Sequence, residues 1–288
     1  MSVPAAFDYH RAATVDEAIA LLQQYGDEAK VLAGGHSLIP AMKLRLSQPE
    51  HLVDIGRIAG LSYIREDNGS VAIGALTTYT QIERSELLRQ RFALLPEGTT
   101  MIADQQVRNR GTIGGSLAHA DPAADMPGIV LALKAEVVVQ GSNGRRTIKA
   151  DDFITGTFET ALAPDEILLE IRLPLPPART GSAYEKLANK ASHYAITGCA
   201  AVITLDTDNT CTSASIAITG AAMQTTRASA VEAALVGKKL DEATVAEAAS
   251  HAAEGLELVS DIHGSQEYRR QMTAVITRRT IMRAIERA

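Results

Sequence analysis

T-I-G-G-S-L-A-H-A-D-P-A-A-D, residues Thr112–Asp125, places two adjacent glycines between a β-branched pair and a run of small residues. A second stretch, A-G-G-H-S-L-I-P at Ala33–Pro40, repeats that chemistry: a Gly-Gly followed by small polar residues. Glycine has no Cβ, so backbone N–H groups beside it can approach a phosphate, and it reaches positive φ without steric cost. Taken singly, each Gly-Gly reads first as a tight turn. Taken as a pair, they read as two loops that hold a pyrophosphate from both sides.

The chain has 288 residues and is 46% hydrophobic, long enough for several domains and a substantial core. Its net charge of −6, with no run of Lys or Arg, argues against a nucleic-acid surface. Trp is absent and aromatics are only 4%, which removes an aromatic stacking platform. The two cysteines, Cys199 and Cys211, match no zinc spacing and cannot alone ligate an iron–sulfur cluster. Met1–His10 lacks a basic n-region and an apolar h-region, and no apolar run is long enough to span a bilayer. The expectation is a cytoplasmic protein with no nucleic-acid partner and no transmembrane segment.

Outward from the glycines, the pattern is mixed α and β. Thr14–Gln24 carries a capping-box pattern, Thr14 with Glu17, ahead of a helical apolar face, and Gly26 ends it. Lys30–Leu32 is a short strand running into the first Gly-Gly, and Ser37–Arg45 is a helix with Pro40 tolerated in its first turn. His51–Ile55 is a strand. Leu61–Glu66 and Ser70–Ile73 form a hairpin around Asp67-Asn68-Gly69. Thr78–Arg89 and Phe92–Asp104 read as helices, with Ala103 near the end of the second, and Thr112–Asp125 reads as a loop. Met126–Leu133 is an apolar helix, Glu136–Gln140 and Arg145–Lys149 are a hairpin, and Glu166–Leu173 alternates as a half-buried strand. Pro174, Pro176, Pro177 and Arg179-Thr180-Gly181 form the one clear linker. Beyond it come strands at Ala183–Leu187, Ala200–Leu205 and Ala214–Thr219. Helices follow at Ala228–Leu235, Thr244–Glu254 and Gln266–Arg287, the last with Arg269, Arg270, Arg278 and Arg279 on its polar faces.

Few side chains suggest chemistry of their own. His36 is either an acid–base group or a neutral imidazole in a local hydrogen bond. His119, Asp121 and Asp125 resemble part of a metal set, without further ligands at usable spacing. Asp125 can accept from a sugar hydroxyl, or serve as an acid at a helix N-terminus. G-x-G-x-x-G, G-x-S-x-G and H-E-x-x-H are absent, which sets aside the Rossmann, hydrolase and metalloprotease readings. Phosphate-cradling loops without a catalytic side-chain set point to a bound cofactor that carries the chemistry.

The paired A-G-G-H-S and T-I-G-G-S motifs resemble the two FAD-binding loops of the xanthine dehydrogenase family flavoproteins. Within that family they resemble the medium subunits of aerobic molybdenum carbon monoxide dehydrogenases most closely. F-D-Y-H-R (Phe7–Arg11), M-K-x-R-L (Met42–Leu46), P-E-H-L-V-D (Pro49–Asp54), I-A-D-Q-Q-V-R (Ile102–Arg108), D-P-A-A-D-M-P (Asp121–Pro127) and Y-E-K-L (Tyr184–Leu187) extend the resemblance nearly end to end. It implies an α+β fold of the PCMH type: two α/β subdomains (1–57 and 58–177) that clamp FAD, then a C-terminal antiparallel sheet with a helical bundle (178–288). It places Ala33, Gly34, Gly35, His36, Ser37 and Leu38 in the first FAD loop and Thr112, Gly114, Gly115 and Ser116 in the second. Thr78, Ile102, Ala103, Asp125, Leu168, Lys186 and Tyr194 join them as cofactor-binding positions, with no catalytic or metal-ligating residue. Ser116 stands where the family usually has asparagine. The implied role is electron transfer within a molybdenum hydroxylase. An iron–sulfur small subunit would carry [2Fe–2S] clusters and a molybdopterin large subunit the molybdenum cofactor, in a dimer of heterotrimers. A stand-alone FAD oxidase of the vanillyl-alcohol-oxidase type and a non-catalytic nucleotide-binding module are the competing expectations.

Overall fold

The computed structural model describes residues 3–288; Met1 and Ser2, at the head of the Met1–His10 reading, lie outside the described residues. The chain opens with β1 (Asp8–Arg11), α1 (Val15–Tyr25), β2 (Ala29–Leu32), α2 (Leu38–Lys43) and β3 (His51–Asp54). The strands form a parallel sheet in the order β1-β3-β2; α1 carries the chain from one edge strand to the other, and the connection through α2 is the crossover that the parallel pair β2/β3 needs. Thr14 Oγ1 accepts from the Glu17 amide at 3.1 Å, as the capping pattern predicts. The reciprocal bond runs from the Ala13 amide to Glu17, one residue earlier than in a strict capping box. β1 lies in Phe7–Arg11, where no strand is expected from sequence; it is a sheet edge with mostly exposed residues and no alternation to read.

The next part begins with the predicted hairpin, β4 (Ile64–Asp67) and β5 (Ser70–Gly74). The two helices expected over 78–104 are broken into α3 (Tyr79–Arg84), α4 (Glu86–Arg91) and α5 (Leu94–Thr100). Ser85 leaves the helical region (φ −73°, ψ 112°) and caps α4 by accepting from the Leu88 amide. After the short α6 (Gln105–Arg108) come α7 (Ile113–His119) and α8 (Asp125–Ala132). The Thr112–Asp125 loop is therefore mostly helix: Thr112 is the N-cap of α7, and both glycines lie in its first turn. β6 (Glu136–Gly141), β7 (Gly144–Lys149), α9 (Ala150–Phe153), β8 (Ile154–Gly156), β9 (Glu159–Thr160) and β10 (Ile167–Pro174) follow. The antiparallel sheet runs β4-β5-β10-β6-β7. β10 is central and almost wholly buried rather than alternating. Ile167 and Leu169 pack into the core of the first part, Leu168 and Ile171 into that of the second. A bulge at Leu169 separates these allegiances and aims Leu168 at the cleft between the parts.

The remainder is a four-stranded antiparallel sheet of β11 (Thr180–Ala188), β12 (Ala195–Leu205), β13 (Cys211–Thr219) and β14 (Thr226–Arg227). It is covered by α10 (Ser229–Leu235), α11 (Glu242–Ser250) and α12 (Gln266–Ile285). Arg269, expected on a polar face of α12, is 3% exposed. Its guanidinium donates to Asp261 at 2.7 Å and to the carbonyls of Ile196 and Gly220, so sheet hydrogen bonding draws it inward.

α8 joins the second and third parts. Every residue of it is buried, as a helix that is apolar all round requires. The third part holds both its ends. Thr219 Oγ1 donates to the Pro122 and Ala124 carbonyls at 2.7 Å, just before α8 begins. At the other end Arg227 donates to Leu131 O at 3.0 Å and Ser215 Oγ to Ala132 O at 2.6 Å. No helix among the described residues is long and apolar enough to cross a membrane.

Candidate functional site

A cleft of about 730 Å³ runs between the parallel sheet and the antiparallel sheet and passes under the β11–β12 hairpin tip. It sits at the C-terminal end of β2, where the chain turns through Ala33–Ser37 into α2. The backbone amides of Gly34, Gly35, His36, Ser37 and Leu38 line it, and none has a hydrogen-bond partner among the described residues. Gly34, Gly35, Ser37 and Leu38 are half-buried and His36 is exposed, so these donors stand open to the cleft and free to meet a ligand. Gly35 has φ +78°, which turns successive N–H groups toward one point.

The second motif differs. Gly114 N donates to Ala75 O at 2.9 Å, Gly115 N to Thr112 Oγ1 at 3.1 Å, Ser116 N to Thr112 O and Ile113 N to Thr77 O, both at 3.1 Å. The amides that the sequence offers to a phosphate are thus already bonded within the protein. What this motif presents to the cleft is the Ser116 side chain and a glycine surface that lets the first loop come close. A Cβ on Gly34 would collide with the Arg110 carbonyl, and one on Gly115 would lie 4.0 Å from the Cβ of Ala33. The first motif packs at Gly34 on the Arg110–Gly111 backbone that leads into the second.

The cleft gathers Ala33, Gly34, Gly35, His36, Ser37, Leu38, Ile102, Ala103, Thr112, Gly114, Gly115, Ser116, Asp125, Leu168 and Tyr194. Thr78 and Lys186 stand behind its wall. Thr78 caps α3 and bridges to Thr112, so it fixes the second motif from outside. Lys186 Nζ meets Asp125 Oδ2 at 2.8 Å, with its side chain 4% exposed, and also donates to the His193 carbonyl. Tyr184 donates to the other Asp125 oxygen. Burial raises the Asp125 pKa, against the Lys186 charge and the hydrogen bonds that lower it. Ala103 is not at a helix end: it has φ +40°, and Arg108 holds that turn by donating to Ile102 O at 2.9 Å. Tyr194 hangs from the hairpin tip over the cleft, its phenol pushed up to about 12 by burial and the nearby Asp121.

Sequence reasoning missed several wall residues, among them Tyr79, Phe158 and Leu162. Tyr79 is 7% exposed at the start of α3, where it reads as an ordinary core aromatic. Phe158 has φ +58° between β8 and β9 and is 53% exposed. Both features belong to the fold, so the sequence carried no signal for it.

The arrangement fits a long dinucleotide such as FAD. Its volume lies in the range of small-molecule sites, about 300–1,000 Å³. The unpartnered amides suit a pyrophosphate, and the apolar walls at Ile102 and Leu168 suit a flat ring.

Comparison with known proteins agrees. Residues 5–176 match the family described as the FAD binding domain in molybdopterin dehydrogenase, and residues 182–284 the CO dehydrogenase flavoprotein C-terminal domain. The chain is 43% identical, over 97% of both sequences, to the carbon monoxide dehydrogenase medium chain of Hydrogenophaga pseudoflava. It is 39% identical to the alpha subunit of the 6-hydroxypseudooxynicotine dehydrogenase complex of Paenarthrobacter nicotinovorans, covering 99% of this chain and 96% of that one. A solved chain of the Hydrogenophaga pseudoflava carbon monoxide dehydrogenase, in a form lacking the Mo-pyranopterin moiety, superposes with a TM-score of 0.96. It is 45% identical, with 99% of each chain covered.

Proposed function

The chain belongs to the FAD-binding medium subunits of carbon monoxide dehydrogenase-type molybdenum hydroxylases, and we propose that it is the electron outlet of such a complex. In this reading an iron–sulfur small subunit delivers electrons from a molybdopterin large subunit, and this chain passes them to an external acceptor in the cytoplasm. The complex is a dimer of heterotrimers.

The unpartnered amides of Gly34–Leu38 carry the proposal. They offer a fixed set of donors to the two phosphates, and Ser116 adds a hydroxyl from the facing motif. Asp125, held by Tyr184 and Lys186, is positioned to accept from a ribityl or ribose hydroxyl. Ile102, Ala103, Leu168 and Tyr194 line the cleft and would flank the isoalloxazine. FAD, when bound, supplies the exchange between one-electron donors and a two-electron acceptor. Near-full-length similarity to a carbon monoxide dehydrogenase medium chain favours the subunit reading over the stand-alone oxidase. Similar chains serve enzymes named for carbon monoxide and for 6-hydroxypseudooxynicotine, so the substrate is chosen elsewhere in the complex. Carbon monoxide is the first to assay.

The test uses the purified complex with and without FAD. Substrate should still bleach the iron–sulfur absorbance of the FAD-free complex, while reduction of an external acceptor is lost and returns on adding FAD. Full acceptor turnover without FAD would overturn the assignment.

A further inference from the structure

Lys30, in β2, is the only lysine or arginine among the residues that line the main cleft. Its neighbours Ala29 and Val31 pack toward the core of the first part. Alternation along the strand sends the Lys30 side chain to the other face, where it is exposed. Its ammonium makes no hydrogen bond and no ion pair among the described residues. We propose that Lys30 binds the cofactor, as the counter-charge to the diphosphate of FAD, and that it makes the cleft favour phosphate-bearing flavins over riboflavin; the proposal rests on the FAD-binding reading above.

Charge and reach support this role. The carboxylates that line the cleft are Asp104, Asp121, Asp125 and Glu166. Two of them are balanced from outside the cleft, Asp125 by Lys186 at 2.8 Å and Glu166 by Arg146 at 2.6 Å. Asp104 and Asp121 instead accept the amides of Val107 and Ala123, both at 2.9 Å, and pair with no lysine or arginine among the described residues. Without Lys30 the wall would therefore turn net negative charge toward a dianionic diphosphate. The free amides of Gly34–Leu38 offer dipoles to that ligand but no net charge. Lys30 supplies what they lack, and it has no partner in the protein to give up. β2 runs from Lys30 into the first motif. At about 3.3 Å per residue Lys30 lies ~10 Å before Ala33, and its flexible four-carbon stem reaches along much of that distance. An ammonium on the strand and free amides in the loop that follows can thus share one diphosphate, the lysine acting as a point charge.

Binding can be measured without turnover. The purified complex, freed of flavin, is titrated with FAD and with riboflavin, and quenching of flavin fluorescence gives the two affinities. Lys30→Gln should weaken FAD about tenfold and change riboflavin by less than about twofold, since riboflavin has no phosphate. Lys30→Arg keeps the charge and should stay within about threefold of wild type for FAD. Added salt should weaken FAD binding in wild type and in Lys30→Arg, and much less in Lys30→Gln, because it screens the attraction that the glutamine has removed. FAD affinity and salt dependence unchanged in Lys30→Gln would overturn the proposal. So would an equal loss for FAD and riboflavin, which would make Lys30 a structural residue of β2. A wild-type complex that takes up no FAD would instead overturn the functional reading itself.

Discussion

Gly34, the first glycine of its motif, and Gly115, the second of the other, answer to different neighbours. A Cβ at Gly34 would strike the Arg110 carbonyl, which is backbone and cannot turn aside. A Cβ at Gly115 would come within 2.8 Å of Thr112 Oγ1, the hydroxyl that caps α7. Gly34→Ala should therefore push the two motifs apart, destabilise the chain by about 1–3 kcal/mol and lower flavin per chain sharply. Gly115→Ala should cost about 1 kcal/mol, the value of a cap, and retain more flavin. Flavin absorbance and thermal midpoints of the two purified variants decide the matter; equal loss in both would contradict this account. Gly26 is no neutral control, because its φ of +52° strains any other residue even in open space.

Lys186 and Asp125 make the other residue-scale test. Burial already raises the Asp125 pKa above its ordinary 3.8, and Lys186 is the main charge opposing that. Lys186→Met leaves a buried carboxylate uncompensated, which should cost about 3–5 kcal/mol near neutral pH. The Asp125 pKa in the folded variant then rises further. A carboxyl whose folded pKa exceeds its unfolded one contributes stability at pH below 3.8 and loses it as pH rises through the folded value. The variant's deficit against wild type should thus shrink on acidification from pH ~8 toward ~5.5. Asp125→Asn combined with Lys186→Met should remove that pH dependence, as melting curves across the range would register. The first motif's glycines were legible in the sequence because residue type restricts what they can do; the internal bonding of the second motif's amides was not, since it depends on how α7 packs. That Lys186 stands behind the wall was not legible, since it depends on packing between the third part and α8.

At the scale of elements, α8 shows why some of the chain could be read and some not. Its uninterrupted apolar run identifies a buried helix directly. α7 is harder: G-G-S spells a loop by propensity, and only the Thr112 cap and the Ala75 carbonyl that receives Gly114 N make it helical. The break after α3 was equally hidden, because Ser85 is an adequate helix residue until its hydroxyl caps the next turn. Arg227 holds α8 from outside. It donates to Leu131 O at 3.0 Å, Ser215 Oγ at 2.7 Å and Asp151 at 2.6 Å, so a cation sits at the negative end of the helix. Arg227→Ala should lower stability by about 2–3 kcal/mol, and Arg227→Lys should restore little, since one ammonium cannot span those acceptors. Denaturant unfolding of the three proteins measures this; full rescue by lysine would mean that charge alone matters.

At the scale of the whole molecule, the three parts proposed at 1–57, 58–177 and 178–288 are tied unequally. The second and third are joined covalently only through 175–179, an exposed stretch with two prolines. Across that boundary, however, run buried contacts that do not need the chain to be continuous. The third part holds α8 at both ends, and Glu97 of α5 pairs with Arg283 of α12 and with Arg287, the latter at 2.6 Å. A single cut in 175–179 should therefore leave the fragments associated, because what holds them is apolar burial and fully engaged hydrogen bonds rather than the linker. Limited proteolysis of the purified complex should produce two bands on a denaturing gel that elute as one species on gel filtration with flavin absorbance retained. Combining the cut with Arg227→Ala and Glu97→Gln should release the C-terminal fragment, since the remaining interface then lacks the bonds at the α8 C-terminus and at α5. Release of that fragment by the cut alone would place the cohesion of the molecule in the linker and overturn the view of α8 as the shared core of the two parts.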